Sequence, residues 1–142
     1  MTQVDFYLLQ QAEPQARQRV ACRITEKAYA AQQRVFIYVE TPDDAKQLDD
    51  LLWSFRPGSF IPHGVTTAIE PTLPVTIGTS APPELDAQVL INLAHHVPDF
   101  FNRFSRIVEI IEEGHEVTLR QGRERYRHYR HQGITPSTHH LT

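Results

Sequence analysis

Two apolar runs on either side of an amphipathic stretch constrain the fold of this chain more than any other feature. Residues 4–9 (VDFYLL) and 34–40 (RVFIYVE) are apolar on both alternating faces, a pattern typical of strands that are buried on two sides. Between them Val20, Ile24 and Ala28 recur at helical spacing and predict a helix of nearly twenty residues. A strand, a helix and a strand in this order indicate a parallel sheet with a crossover helix.

Further strand and helix signals alternate along the rest of the chain. Thr41 is a helix-capping residue and Pro42 suits a first helical position, so a helix is predicted from there to about Phe55. The segment 56–83 is rich in Pro and Gly and predicts mostly loop and sheet edge. The remaining predicted elements are strands at 60–61, 75–77, 89–94 and 106–111, a short helix within 98–104 and a longer helix from about 116 to 132.

These elements together predict a single α/β domain over residues 1–142. It has three layers, with a mostly parallel or mixed sheet flanked by helices in a Rossmann-like arrangement. A chain of this length can remove about two thirds of its unfolded surface from water, so we expect it to fold alone. The segment 134–142 follows Gly133, a natural helix stop, and the sequence leaves open whether it is ordered.

Composition limits the compartments and functions open to the chain. No apolar run approaches the roughly 20 residues of a membrane span, and the N-terminus lacks the basic region and cleavage site of a signal peptide. We therefore expect a cytoplasmic protein without membrane contact. Cys22 is the only cysteine, which excludes an intrachain disulfide and a cysteine-based metal cluster, and we expect a buried thiol there. The formal net charge of −3 argues against a general nucleic-acid binder.

The motifs of nucleotide binding and catalysis are absent from the sequence. No stretch matches the GxxxxGK[ST] or GxGxxG phosphate-binding turns, and the nearest imitation, GTSAPP at 78–83, lacks the lysine and the second glycine. Four of the eight histidines form the adjacent pairs 95–96 and 139–140, whose side chains point in different directions. We therefore expect no cofactor, no metal and no catalytic residue. The enzyme alternative is a degenerate nucleotide-handling or hydrolytic α/β protein.

The segment 120–130 (RQGRERYRHYR) carries the most distinctive chemistry. It contains five of the fourteen Lys and Arg residues of an acidic chain. On a helix, four of its arginines are spaced three, four and three and share one face, where like charges repel by about 0.2–0.5 kcal/mol per pair. This arrangement suggests an external anion. The four residues, called the arginine row below, are Arg120, Arg123, Arg127 and Arg130.

An apolar border beside the arginine row favours an acidic peptide over naked DNA. Leu119 and Tyr126 lie on one side of the row, so a ligand with carboxylates and an apolar side chain would use both parts. Gly122, unfavourable within a helix by about 1 kcal/mol, hints that something approaches closely there. Two alternatives stay open: a solvated amphipathic helix without a ligand, and a single-stranded nucleic-acid site in which Tyr126 and Tyr129 stack on bases.

A second candidate surface lies in the segment 51–64. Trp53, Phe55 and Phe60 surround a proline and glycine turn, and aromatic residues near loops are good interface anchors. The alternative is that these rings close the end of the core. For Phe60, flanked by Ser59 and Pro62, an exposed edge is favoured.

The order of motifs resembles the chi subunit of bacterial DNA polymerase III holoenzyme over essentially the full chain. The matching pieces are FYLL, RVFIYVE, AKQLDDLLW followed by SFIPH, LINL, and RERYRHYR. The chain length also suits this family of small α/β proteins. The resemblance implies a non-catalytic accessory subunit of the clamp-loader assembly in DNA replication, which contacts DNA only indirectly.

The resemblance also implies a partner for the arginine row. In this family the chi subunit grips the acidic, phenylalanine-ended C-terminal tail of single-stranded-DNA-binding protein. By position, Arg123 would pair with carboxylate, Tyr126 and Val117 would help cover the terminal phenylalanine, and Arg127, with Arg130, would attract the acidic residues behind it. The chain departs from the family where a lysine can precede Arg123 by one turn. Here that position is Leu119, and Arg120 beside it is the candidate replacement.

A second partner follows from the same resemblance. Phe60, in SFIPH, matches a phenylalanine at the surface where the family binds the psi subunit, and Trp53 is assigned to the same site. That surface looks able to accept a repair helicase instead of psi, so the choice between these two partners would be exclusive.

Overall fold

The computed structural model describes residues 2–10, 14–56, 58, 60–65, 73–82 and 88–141. These residues form one parallel sheet of seven strands, in the order β3-β4-β2-β5-β6-β1-β7, with three α helices. The architecture confirms the predicted three-layer α/β fold. The strands are β1 (Gln3–Leu9), β2 (Val35–Tyr38), β3 (His63–Val65), β4 (Val75–Gly78), β5 (Val89–Asn92), β6 (Arg106–Glu112) and β7 (Ser137–Leu141). The helices are α1 (Ala16–Ala30), α2 (Pro42–Ser54) and α3 (Glu116–His131), and a short 3-10 helix spans Phe101–Arg103.

The helices divide between the two faces of the sheet. α1 and α2 pack on one face, against side chains such as Ile37 of β2. α3 and the 3-10 helix cover the other face, where Phe36 of β2 packs beside the rings of Phe100 and Phe104. Neighbouring residues of β2 thus serve opposite layers, which explains why β2 has large apolar or aromatic side chains at every position.

The two helices of the first face match their sequence signals with small shifts. α1 ends at Ala30, because Gln32 adopts a positive φ of 60° that breaks the helix. Cys22 is fully buried in α1 as predicted, and burial raises the pKa of its thiol to about 12. The backbone N–H of Asp44 donates to Oγ1 of Thr41 at 3.1 Å, which confirms the N-cap of α2.

The strands near the Pro-rich segment differ more from prediction. The predicted strand at 60–61 is wrong, and β3 begins only at His63 because Pro62 has no N–H to donate to a ladder. Within the same Pro-rich segment, residues 57, 59, 66–72 and 83 lie outside the described residues. β5 ends at Asn92, two residues before the predicted 89–94 strand, because the side chain of Asn92 accepts a hydrogen bond from the backbone N–H of Ala94 at 3.0 Å.

The segment that the sequence left open forms β7, which adds an edge to the sheet beside β1. Nε2 of His139 lies 3.0 Å from Oδ1 of Asp5, and its ring stacks on Tyr7 with centroids 4.8 Å apart. Arg106 of β6 donates from Nε to Oδ2 of the same carboxylate at 2.9 Å. One buried carboxylate on β1 therefore links the two neighbouring strands.

The ionisation of Asp5 makes stability depend on pH in the acid range. Burial opposes its charged form, but hydrogen bonds from His139 and Arg106 and the charge of Arg106 lower the pKa of Asp5 below its ordinary value of 3.8. The folded state therefore gains stability from this carboxylate above that value, and loses it as the pH falls through the lowered pKa.

We expect Asp5→Asn to lower the free energy of unfolding by about 1–3 kcal/mol at neutral pH, since two charge-assisted hydrogen bonds are lost. The difference from the wild type should shrink as the pH is lowered below the ordinary pKa of the side chain. Urea titrations at neutral and strongly acid pH measure both quantities. Asp50→Asn, at an exposed position of α2, is the control. A difference that stayed constant with pH would contradict this account of Asp5.

Candidate partner-binding surfaces

α3 approaches the sheet most closely at Gly122. A Cβ atom at this position would overlap the side chain of Ile111 in β6, so the helix can lie this near only with glycine. The close neighbour that the sequence suggested at Gly122 is therefore the protein's own β6. The glycine carries no information about a ligand.

A buried carboxylate fixes the inner face of α3. Glu109 of β6 is 0% exposed, and its Oε1 accepts from Nε of Arg125 at 2.8 Å. Its Oε2 accepts from the hydroxyl of Tyr129 at 2.7 Å and from Nδ2 of Asn92 at 2.9 Å. Burial, and then the neighbouring Glu109, raise the pKa of Tyr129 well above its usual range, so its hydroxyl keeps the donated proton.

The carboxyl ends of β5 and β6 are filled by arginine side chains. Arg17 of α1 donates from Nε to the carbonyl of Ile110 at 2.9 Å and from Nη1 to that of Leu93 at 3.0 Å. Arg125 donates from Nη1 to the carbonyl of His95 at 3.2 Å. Burial, and then repulsion by Arg125, lower the pKa of Arg17 to about 10. Ligands of such sheets usually bind at the carboxyl ends of the strands, which these two arginines occupy here.

The arginine row lies on the outer face of α3, as predicted. All four residues are exposed, and the helical repeat spreads them over about 80° of the helix circumference. Nη2 of Arg120 is 3.9 Å from Oε1 of Glu116, a long contact between two exposed side chains that contributes little. Within the described part of the chain, the other three arginines have no ion-pair partner: Arg123, Arg127 and Arg130.

The apolar border of the row is confirmed on one side of α3. Tyr126 is half-buried, with its ring centroid 5.2 Å from that of Phe6, and Leu119 packs against the same cluster. Val117 is 50% exposed but lies nine residues before Tyr126. Nine helical residues correspond to about 13 Å and two and a half turns, so Val117 faces away from Tyr126. The helix therefore does not bring these two residues together.

The second surface lies at the β3 edge of the sheet. Trp53 is 56% exposed and Phe60 is 79% exposed, so neither ring closes the core, whereas Phe55 packs against it. The Trp53 ring packs against the ring of His63 with their centroids 4.6 Å apart and their planes tilted by 49°. Nδ1 of His63 lies 2.6 Å from the carbonyl oxygen of Ile61, the residue after Phe60. His63 thus contacts both the Trp53 ring and the segment that carries Phe60. Trp53 and Phe60 are together called the aromatic surface below.

Comparison with known proteins agrees with the resemblance seen in the sequence. A profile of the family described as "DNA polymerase III chi subunit, HolC" matches residues 1–137. The chain belongs to this family. A DNA polymerase III subunit chi from Pseudomonas aeruginosa is 39% identical over 142 residues, which cover 99% of this chain and 98% of the relative. Proteins of the same name from Haemophilus influenzae and Escherichia coli are each 29% identical, covering 94% and 97% of this chain and 93% and 97% of their own lengths.

The buried contact between Glu109 and Arg125 in this chi-family fold was not predicted from the sequence. Arg125 lies within the basic segment, yet it points into the protein while the four residues of the arginine row are exposed. A signal was present, because Glu109 is the only charged residue inside the apolar run 107–111, and such a residue needs a partner when the strand is buried.

Among the described residues, none of the helices has the length and apolar character that a membrane span requires.

We expect Glu109→Gln to lower the free energy of unfolding by about 3–5 kcal/mol, because it leaves Arg125 buried beside a neutral amide. Urea denaturation followed by circular dichroism measures the change. Glu116→Gln, which removes the exposed contact with Arg120, should change stability by less than about 0.5 kcal/mol. Equal effects of the two substitutions would contradict the role assigned to Glu109.

Proposed function

We propose that this chain is a non-catalytic adaptor of the DNA polymerase III holoenzyme with two partner-binding surfaces. α3 binds the acidic, phenylalanine-ended tail of single-stranded-DNA-binding protein, and the aromatic surface binds the psi subunit. The observation that carries the first assignment is the set of three exposed arginines without ion-pair partners among the described residues, next to the half-buried ring of Tyr126.

The geometry of α3 suits a ligand with mixed chemistry. Arg123 and Arg130 lie next to the side of the helix that carries Leu119 and Tyr126, so a terminal phenylalanine would reach apolar surface beside a guanidinium group. Arginine binds carboxylates through two parallel hydrogen bonds. Arg127 and Arg120, further round the helix, would attract the acidic residues that precede the phenylalanine. Val117, which faces away from Tyr126, would lie beside Arg120 at the far edge of this site.

Direct recognition of single-stranded nucleic acid by the same helix is the weaker candidate. That hypothesis needs Tyr126 and Tyr129 to stack on bases. Tyr129 is 0% exposed and its hydroxyl is held by Glu109, so its ring is inaccessible to a base. Tyr126 alone offers a partial edge, which suits one apolar side chain better than a row of bases.

We expect the wild type to bind an acidic peptide that ends in phenylalanine with micromolar affinity, which weakens as salt is added. Arg123→Ala should weaken binding at least tenfold, since a charge-assisted hydrogen bond contributes about 1.5–3 kcal/mol. Isothermal titration calorimetry measures both proteins. The matched control is Arg23→Ala, an exposed arginine of α1 on the opposite face of the sheet.

The ligand provides a second control for the same titration. A peptide that lacks the final phenylalanine should bind much more weakly, because it cannot use the apolar border. Equal affinity for the two peptides would mean that charge alone determines binding, and the tail assignment would then fail.

The position of the aromatic surface supports a separate partner. β3 is the first strand in the sheet order and β6, under α3, is the fifth. Four strand spacings correspond to about 19 Å, so a protein on Trp53 and Phe60 leaves α3 accessible. Large exposed aromatic side chains are the typical anchors of protein interfaces. A repair helicase that used the same two rings would exclude psi.

We expect Phe60→Ala to weaken binding of the psi subunit more than tenfold, as removal of a central aromatic anchor does. Stability should change little, because the ring is 79% exposed. Tyr29→Ala, at an aromatic residue of α1 that is 36% exposed, is the matched control and should leave psi binding unchanged. Co-purification and calorimetry with psi measure the effect. Unchanged psi affinity in Phe60→Ala would remove this surface from the proposal.

A further inference from the structure

A second basic surface lies on the opposite face of the sheet from α3. Three exposed cations of α1 follow each other at intervals of four residues, which places them along one side of the helix about 6 Å apart. They are called the α1 stripe below and consist of Arg19, Arg23 and Lys27. The stripe lies outside both surfaces of the proposed function.

A cavity of about 200 Å³ opens beside this stripe, between α1 and the strands β1 and β7. Arg23 and Lys27 border it, so two members of the stripe face the same space. The apolar part of its wall comes from Val20, Ile24, Tyr7 and Leu141. The cavity thus combines an apolar wall with a cationic rim.

The charges around the cavity do not cancel. Among the residues that the structure describes, Glu26 is the only acidic one that lines the cavity, and its carboxylate pairs with Arg56 at 3.2 Å. Arg106 also lines it, and its charge is matched by Asp5 below. Arg23 and Lys27 have no ion-pair partner among the residues that the structure describes. The rim therefore keeps a net positive charge available to an anion.

We propose that the α1 stripe binds single-stranded DNA, with successive phosphates on its three cations and one base in the adjacent cavity. The regular separation of the three helix positions is close to that of successive phosphates in an extended strand, and the long side chains can follow it, whereas acidic residues in a peptide have no fixed spacing. The apolar wall accommodates the flat face of a base. Membership in a DNA polymerase III family places single-stranded DNA near the chain, which makes a weak local site effective.

Fluorescence anisotropy with a labelled oligothymidylate of about 12 nucleotides tests the site at low salt. Contact with three phosphates predicts a slope of about −2 for the logarithm of the association constant against that of the salt concentration. The double variant Arg23→Ser/Lys27→Ser should bind at least tenfold more weakly, with a slope of about −0.7. The matched double variant on α3, Arg123→Ser/Arg127→Ser, should bind the oligonucleotide with the affinity and the salt slope of the wild type, although it loses affinity for the phenylalanine-ended peptide.

A change in the oligonucleotide tests the cavity without altering the protein. An abasic strand of the same length keeps every phosphate, and it should bind about tenfold more weakly because no base enters the cavity. Equal binding of the two strands would overturn the assignment of the cavity.

The remaining outcomes separate this site from the tail site. Loss of DNA binding in the α3 variant, with the α1 variant unaffected, would overturn the proposal. The proposal would also be overturned if an acidic peptide without phenylalanine displaced the labelled oligonucleotide as well as unlabelled oligonucleotide does. The stripe would then be a peptide site. The α1 variant should bind the phenylalanine-ended peptide as the wild type does, so the two proposals fail independently.

Discussion

The orientation of α3 depends on the buried carboxylate of Glu109. A carboxylate removed from water costs several kcal/mol unless donors and an opposite charge surround it. Two of its three donors, Arg125 and Tyr129, belong to α3, and they lie four residues apart on one side of that helix. Apolar packing alone would allow α3 to rotate, because it is not directional. The contacts to Glu109 select one rotation, and this rotation turns the arginine row to solvent.

The same constraint explains how a strongly basic helix remains compatible with a packed core. Gly122 lets α3 approach Ile111, so the charged partner on β6 comes within hydrogen-bond distance. The charge of Arg125 is matched by the carboxylate of Glu109. Arg125 therefore adds little to the repulsion within the exposed arginine row. The outer residues Arg123 and Arg127 are left without an ion-pair partner among the described residues, since contacts on the inner face fix their places on the helix.

The sequence predicted the elements whose signals are local and missed those that depend on distant contacts. Thr41 marks the start of α2 because its side chain caps the backbone N–H of Asp44, only three residues later. β2 is likewise recognisable from its own apolar run. β7 has almost entirely exposed side chains, and it is held by His139 against Asp5, 134 residues earlier. Val117 and Tyr126 share a segment of sequence but not a side of α3. Only the helical geometry separates them.

The carboxyl ends of β5 and β6 are filled by side chains of the protein itself. In related sheets a ligand uses the free backbone groups and the crevice at that end. Here Arg17 and Arg125 bind carbonyls just after β5, Arg17 also binds that of Ile110 within β6, and Glu109 binds Arg125. The exposed chemistry is left on α3, on α1 and at the β3 edge, which the parallel sheet holds apart. Under the proposed adaptor function, surfaces that the sheet holds on separate sides would let two partners bind at the same time.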